Sequence, residues 1–245
     1  MELEKSMIKR FSFSPATISY LLGMMLLDSL GLYFALNSIK NINAGIIWYS
    51  VAILLLVASL STGFSITVVY QSSALAYFMR FSKLKLSNYI LSLFIGSLVS
   101  AVTYTVIFAA LITPLITKLT LNHFYEIIRV DNVLPFLAST LISSLFILSL
   151  TFTITATLLV KVGAKTSNYA YYIFFLLLAI SELSPSASSS LNPFYEAENI
   201  ISYSLIHDTI SLYSVEVASL AIVLLLLGNL ILKKIKALRL EEVVW

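Results

Sequence analysis

The chain has no cysteine, only two histidines and only seven glycines among its 245 residues. Without cysteine there is no disulfide, no thiolate metal site and no cysteine nucleophile. His123 and His207 lie near Glu126 and Asp208, at spacings that match no metal motif, so no metal centre is expected. The glycines stand at 23, 31, 45, 63, 96, 163 and 228, too dispersed for G-x-x-x-x-G-K-[ST] or G-x-G-x-x-G. A phosphate cradle of backbone N–H groups therefore has no sequence to form it, and no nucleotide is expected on this chain. Gly63-Phe64-Ser65 would need a glycine at position 67 to make a serine-nucleophile elbow, and Thr67 stands there. Charge is scarce as well. Charged residues are 11% of the chain, against about 25% in soluble domains. With no catalytic constellation, the expectation is a protein that is not an enzyme.

What the chain does have is apolar length: 59% hydrophobic residues and a mean hydropathy of +0.96. Six stretches stand out, Thr17–Leu36, Gly45–Tyr70, Tyr89–Leu115, Val133–Val160, Tyr169–Leu183 and Val215–Leu232, and all fifteen Lys and Arg residues lie outside them. A basic residue at the centre of a membrane helix costs about 2.5–3.5 kcal/mol, which explains their exclusion. Since about 20 apolar residues cross a hydrocarbon core of roughly 30 Å, the pattern predicts an all-α membrane protein of six transmembrane helices. The second to fourth stretches are long enough to tilt, and the fifth is short for a simple crossing.

Counting basic residues in alternate segments orients the chain. One side carries Lys5, Lys9, Arg10, Arg80, Lys83, Lys85, Lys161, Lys165, Lys233, Lys234, Lys236 and Arg239; the other carries Lys40, Lys118 and Arg129. Twelve against three puts both termini in the cytoplasm of a multi-pass plasma-membrane protein, archaeal or bacterial by composition. Residues 1–15 mix acidic and basic side chains without a continuous apolar core, so they do not read as a cleaved signal peptide. Leu3, Met7 and Phe11 share one side of a helix at spacings of four, as an interfacial helix on the inner leaflet requires.

Two connections depart from a simple up-and-down chain. Residues 71–88 place Leu75, Phe78, Met79 and Ser82 at helical spacing beside Arg80, Lys83 and Lys85, a short basic amphipathic helix suited to anionic lipid or to a groove in a soluble partner. Residues 184–214 begin with Ser184-Pro185 and a serine cluster, then run through Leu191-Asn192-Pro193-Phe194-Tyr195. Pro185 and Pro193 break a helix, while Phe194 to Ile206 is too apolar for a free loop and too short to span. A re-entrant or membrane-surface helix satisfies its backbone best. Asp28, about eleven residues into the first stretch, is the one carboxylate well inside a span and by default a functional candidate.

This arrangement resembles the membrane subunits of ABC exporters of the second type. There an N-terminal interfacial helix precedes six spans, a coupling helix joins spans two and three, and a broken re-entrant segment lies between spans five and six. The likeness covers nearly the whole chain and is closest at Ala74-Leu75-Ala76-Tyr77-Phe78-Met79-Arg80 and at Ser184-Pro185 with Leu191-Asn192-Pro193-Phe194-Tyr195. The acidic residue and the proline often found near the family's coupling helix are absent, with Ser73-Ala74-Leu75-Ala76 and Ser82-Lys83-Leu84-Lys85 in their places. The resemblance implies a half-transporter paired with a second membrane subunit, identical or homologous. Two separate ABC ATPase chains would bind ATP and Mg, with no nucleic-acid partner. It implies ATPase contact through Phe78, Arg80 and Lys83. It also implies a path for a lipophilic or amphipathic substrate lined by spans two and five, where Thr62, Ser65, Tyr172 and Phe175 are the candidates. An ion- or proton-coupled carrier or channel is the alternative, favoured by Asp28 and disfavoured by the lack of internal repeats.

Overall fold

In a bilayer every backbone N–H and C=O must find its partner inside the chain, so long apolar stretches free of interior proline form helices. A computed structural model of the protein describes residues 42–70, 86–112, 131–162 and 193–232, together with Ile18, Ser19, Leu22, Gly23, Met25, Leu26, Ser29, Leu30 and Tyr33, which have helical backbone. Among the described residues there is no strand. The helices are α1 (Ile42–Tyr70), α2 (Leu86–Ile107), α3 (Val133–Val162), α4 (Pro193–His207) and α5 (Tyr213–Leu232), with α2 passing into a π-helical turn over Phe108–Ile112. Four stretches, Gly45–Val69, Asn88–Ala110, Val133–Lys161 and Tyr213–Leu232, are long and apolar enough to cross a membrane. They correspond to the second, third, fourth and sixth stretches of the sequence. The fifth stretch and residues 1–15 lie outside the described residues, as does most of the first stretch.

Local chemistry sets the helix ends. Asn132 opens α3, its carbonyl accepting the N–H of Phe136 at 2.9 Å. Pro135 falls in the first turn, where a missing N–H costs nothing. α5 starts at Tyr213, two residues earlier than hydropathy suggests, because Ser211 caps it: its Oγ accepts the N–H of Tyr213 at 3.3 Å and its carbonyl that of Ser214 at 3.0 Å. Glu216 in the first turn adds a favourable charge at the positive end of the helix dipole. α4 begins on Pro193 and is followed by Asp208 at φ 56°, the left-handed conformation that closes many helices.

α3 is the centre of the bundle, packing against α1, α2, α4 and α5, most extensively against α5. α1 and α3 run parallel, since the hydroxyls of Ser61 and Thr151 are 3.3 Å apart and those of Ser65 and Thr155 2.9 Å apart, one turn further along both helices. Toward the starts of α1 and α3 the buried core gathers Tyr49, Phe108 and Phe136, with Tyr49 centred 5.7 Å from Phe108 and 6.2 Å from Phe136. Toward their ends it gathers Phe64, Phe94 and Phe152, with Phe64 centred 6.2 Å from Phe94 and 5.9 Å from Phe152. α5 meets α3 closely at Gly228: a Cβ there would lie 2.6 Å from Cδ1 of Phe152. Lipid tails are as apolar as leucine, so close packing and interhelical hydrogen bonds hold such helices together rather than water exclusion.

Candidate functional site

Of the expected site residues, Thr62 and Ser65 are the two whose side chains are described, and both are buried in α1. Thr62 donates its hydroxyl to the carbonyl of Ser59 at 2.7 Å, within its own helix. Ser65 faces α3 and shares a hydrogen bond with Thr155, whose hydroxyl also reaches the carbonyl of Thr151 at 2.7 Å. Of the two, Ser65 makes a bond between helices, while the bond of Thr62 stays within α1. Thr153 points elsewhere, to the carbonyl of Leu224 on α5 at 2.7 Å. The threonine ladder of α3 thus divides between two neighbours, as successive odd positions on a helix must. Phe78, Arg80, Lys83, Tyr172, Phe175, Asp28, Pro185 and Asn192 lie outside the described residues. Pro193 is the first residue of α4.

The informative element is α4. Phe194, Ala197, Ile200, Ile201, Ser204 and Leu205 are buried and recur at helical spacing, and the face they make packs on α1 and α3. Two hydrogen bonds set its course. Ser143 of α3 donates to the carbonyl of Ala197 at 2.9 Å, and the amide of Asn132 donates to the carbonyl of Leu205 at 3.3 Å. α4 therefore runs antiparallel to α3, its end beside the start of α3 and its beginning further down the bundle.

Its depth follows from the same contacts. The ring contact of Tyr49 with Phe136 also sets the level of neighbouring Trp48, an exposed tryptophan of the kind that marks a membrane surface. Ser143 is seven residues past Phe136 on α3, so Ala197 sits about 10 Å below that level at 1.5 Å per residue. The outward side of α4 is polar along much of its length. Glu196, Asn199, Tyr203 and His207, at spacings of three and four, form one strip in which Glu196 is half-buried and the other three are exposed. Tyr203 and His207 are in ring contact at 4.3 Å.

Electrostatically the two ends of the bundle differ. Among the described residues, the end where α3 and α5 begin carries Asp131, Glu196, Glu198, Asp208 and Glu216 and no Lys or Arg, while Lys161 lies at the other end. The described residues contain no group of three or more His, Cys, Asp or Glu placed to hold a metal. Sequence reading missed three participants: Thr155 as the partner of Ser65, Gly228 as the seat of Phe152, and Glu196 as a carboxylate below the surface level. Only the third left a trace in the sequence, an acidic residue inside an apolar segment. No protein-family model and no curated protein matches this sequence.

Proposed function

We propose that this chain is a permease subunit of an ATP-driven exporter of the second ABC type. It would have six spans and cytoplasmic termini, and would form with a second membrane subunit the path for a lipophilic or amphipathic substrate. α4 carries the reading: a short helix between the fifth and sixth apolar stretches, held antiparallel to α3 with its beginning below the level of Trp48, is what a broken segment at that place in the chain should become. The basic amphipathic segment at 71–88 supplies the other half, a contact through which an ATPase would move the spans. Hydrolysis of ATP with Mg belongs to that separate chain, and Phe78, Arg80 and Lys83 are the residues on which coupling would rest.

Co-purification tests the proposal. The chain is expressed with the ATPase encoded beside it, extracted in mild detergent, and compared with a Phe78→Asp, Arg80→Glu variant. The expected result is a complex that the variant loses while still eluting as a folded protein. A wild-type chain that is folded yet binds no ATPase would overturn it, and Asp28 would then be the first residue to test for ion coupling.

A further inference from the structure

We propose that the polar strip of α4 lines a water-filled, anionic vestibule that enters the membrane from the end where α3 begins and admits cationic or uncharged solutes in preference to anions. The vestibule itself rests on the placement of this bundle in a bilayer; that exported substrate passes through it rests on the exporter reading.

Depth and exposure together require it. Glu196 is attached about 10 Å below the level of Trp48, judged from the Ser143 contact to Ala197 and the helical rise. Its neighbours on the strip, Asn199 and Tyr203, are exposed on the side of α4 that faces neither α1 nor α3. Hydrocarbon does not cover such a surface, because an ionised side chain in lipid is expensive and its polar neighbours gain no partner there. The other side of the same helix is mostly apolar and buried, so rotation of α4 offers no escape. At a similar level α3 presents a contrasting surface, with Leu141 42% exposed and fit for lipid. Water is the occupant that satisfies Glu196 and Asn199 together, and Glu196 is the one charged residue on the strip.

The absence of native cysteine makes the test direct. Asn199→Cys is made in the full chain, with Leu141→Cys as the depth-matched control and Tyr203→Cys, six residues above Ala197 and so near the level of Trp48, as the surface control. Intact cells are treated from outside with membrane-impermeant thiol reagents, one cationic and one anionic. Both strip variants are expected to react at least about tenfold faster than Leu141→Cys, since lipid excludes charged reagents. At Asn199→Cys the cationic reagent should lead the anionic one by about tenfold, the effect of one carboxylate roughly 6 Å from the thiol in water. Adding Glu196→Gln should remove that preference while leaving the reaction itself. An unreactive Asn199→Cys, or a Leu141→Cys that reacts as fast as it does, would overturn the vestibule. A charge preference that survives Glu196→Gln would overturn its assignment to Glu196. No ATPase is needed, so a failed ATPase complex leaves this result standing.

Discussion

Gly228→Ala is the sharpest test of how the bundle is packed. The added methyl would lie 2.6 Å and 2.7 Å from Cδ1 and Cε1 of Phe152 and 3.1 Å from the hydroxyl of Thr153. Contacts under 3 Å must be relieved, and the ring has little room to yield. Phe152 is fully buried and its other neighbour, Phe64, is fully buried and packed in turn on Phe94. α5 must therefore move away from α3, which also strains the 2.7 Å bond from Thr153 to the carbonyl of Leu224. Overpacking of this kind costs about 1–3 kcal/mol, reduced by the better helix propensity of alanine, which is worth up to about 1 kcal/mol. At a net cost near 1–2 kcal/mol, a chain of this size should lose about 2–8 °C in apparent melting temperature. Thermal challenge followed by size-exclusion chromatography in detergent reads this directly. Gly63→Ala is the control, because nothing lies within 4 Å of the Cβ it would add, and it should be neutral or stabilising. Trimming the opposing ring with Phe152→Leu should recover part of the loss in the Gly228→Ala background. A Gly228→Ala variant as stable as wild type would refute the close approach of α5 to α3.

Three further outcomes are expected. A double-mutant cycle of Ser65→Ala and Thr155→Val should give a coupling of about 0.6 kcal/mol in mixed-micelle unfolding, the usual worth of a hydroxyl pair between membrane helices; strict additivity would contradict the α1–α3 seam. Ser143→Ala leaves the Ala197 carbonyl without its α3 donor, so amide exchange over α4 should speed up by about fivefold, equivalent to roughly 1 kcal/mol, with α1 and α2 unchanged. Single cysteines placed in either tail should react with an impermeant thiol reagent only after permeabilisation, as twelve basic residues on one side against three on the other require.

How much of this was legible in the sequence depends on whether the signal lies within one helix or between two. α1, α2, α3 and α5 follow from apolar length and the exclusion of Lys and Arg, and the helix at 193–207 from apolar character after two prolines. Helix ends shifted where a single hydrogen bond decides them, as at Ser211. The π-turn at Phe108–Ile112 has no hydropathy signature, because a shift from i−4 to i−5 bonding leaves the apolar run unchanged. The sequence marks Ser65 as a hydroxyl on the second stretch. That its hydroxyl meets Thr155, ninety positions later, is a property of how α1 and α3 sit together, which periodicity along one segment does not carry. Gly228 is the same case: a lone glycine in an apolar run means close approach only once Phe152 is known to lie opposite.

The central claim is that this chain works as one membrane subunit of an ATP-driven machine. Native mass spectrometry of the tagged protein, released gently from its own membrane, tests it most directly. The account predicts an assembly holding two membrane subunits and two ATPase chains, with the 27.2 kDa subunit present once or twice. A spectrum containing only this chain, alone or in multiples of its own mass, with no ATPase under conditions that preserve other membrane complexes, would contradict it.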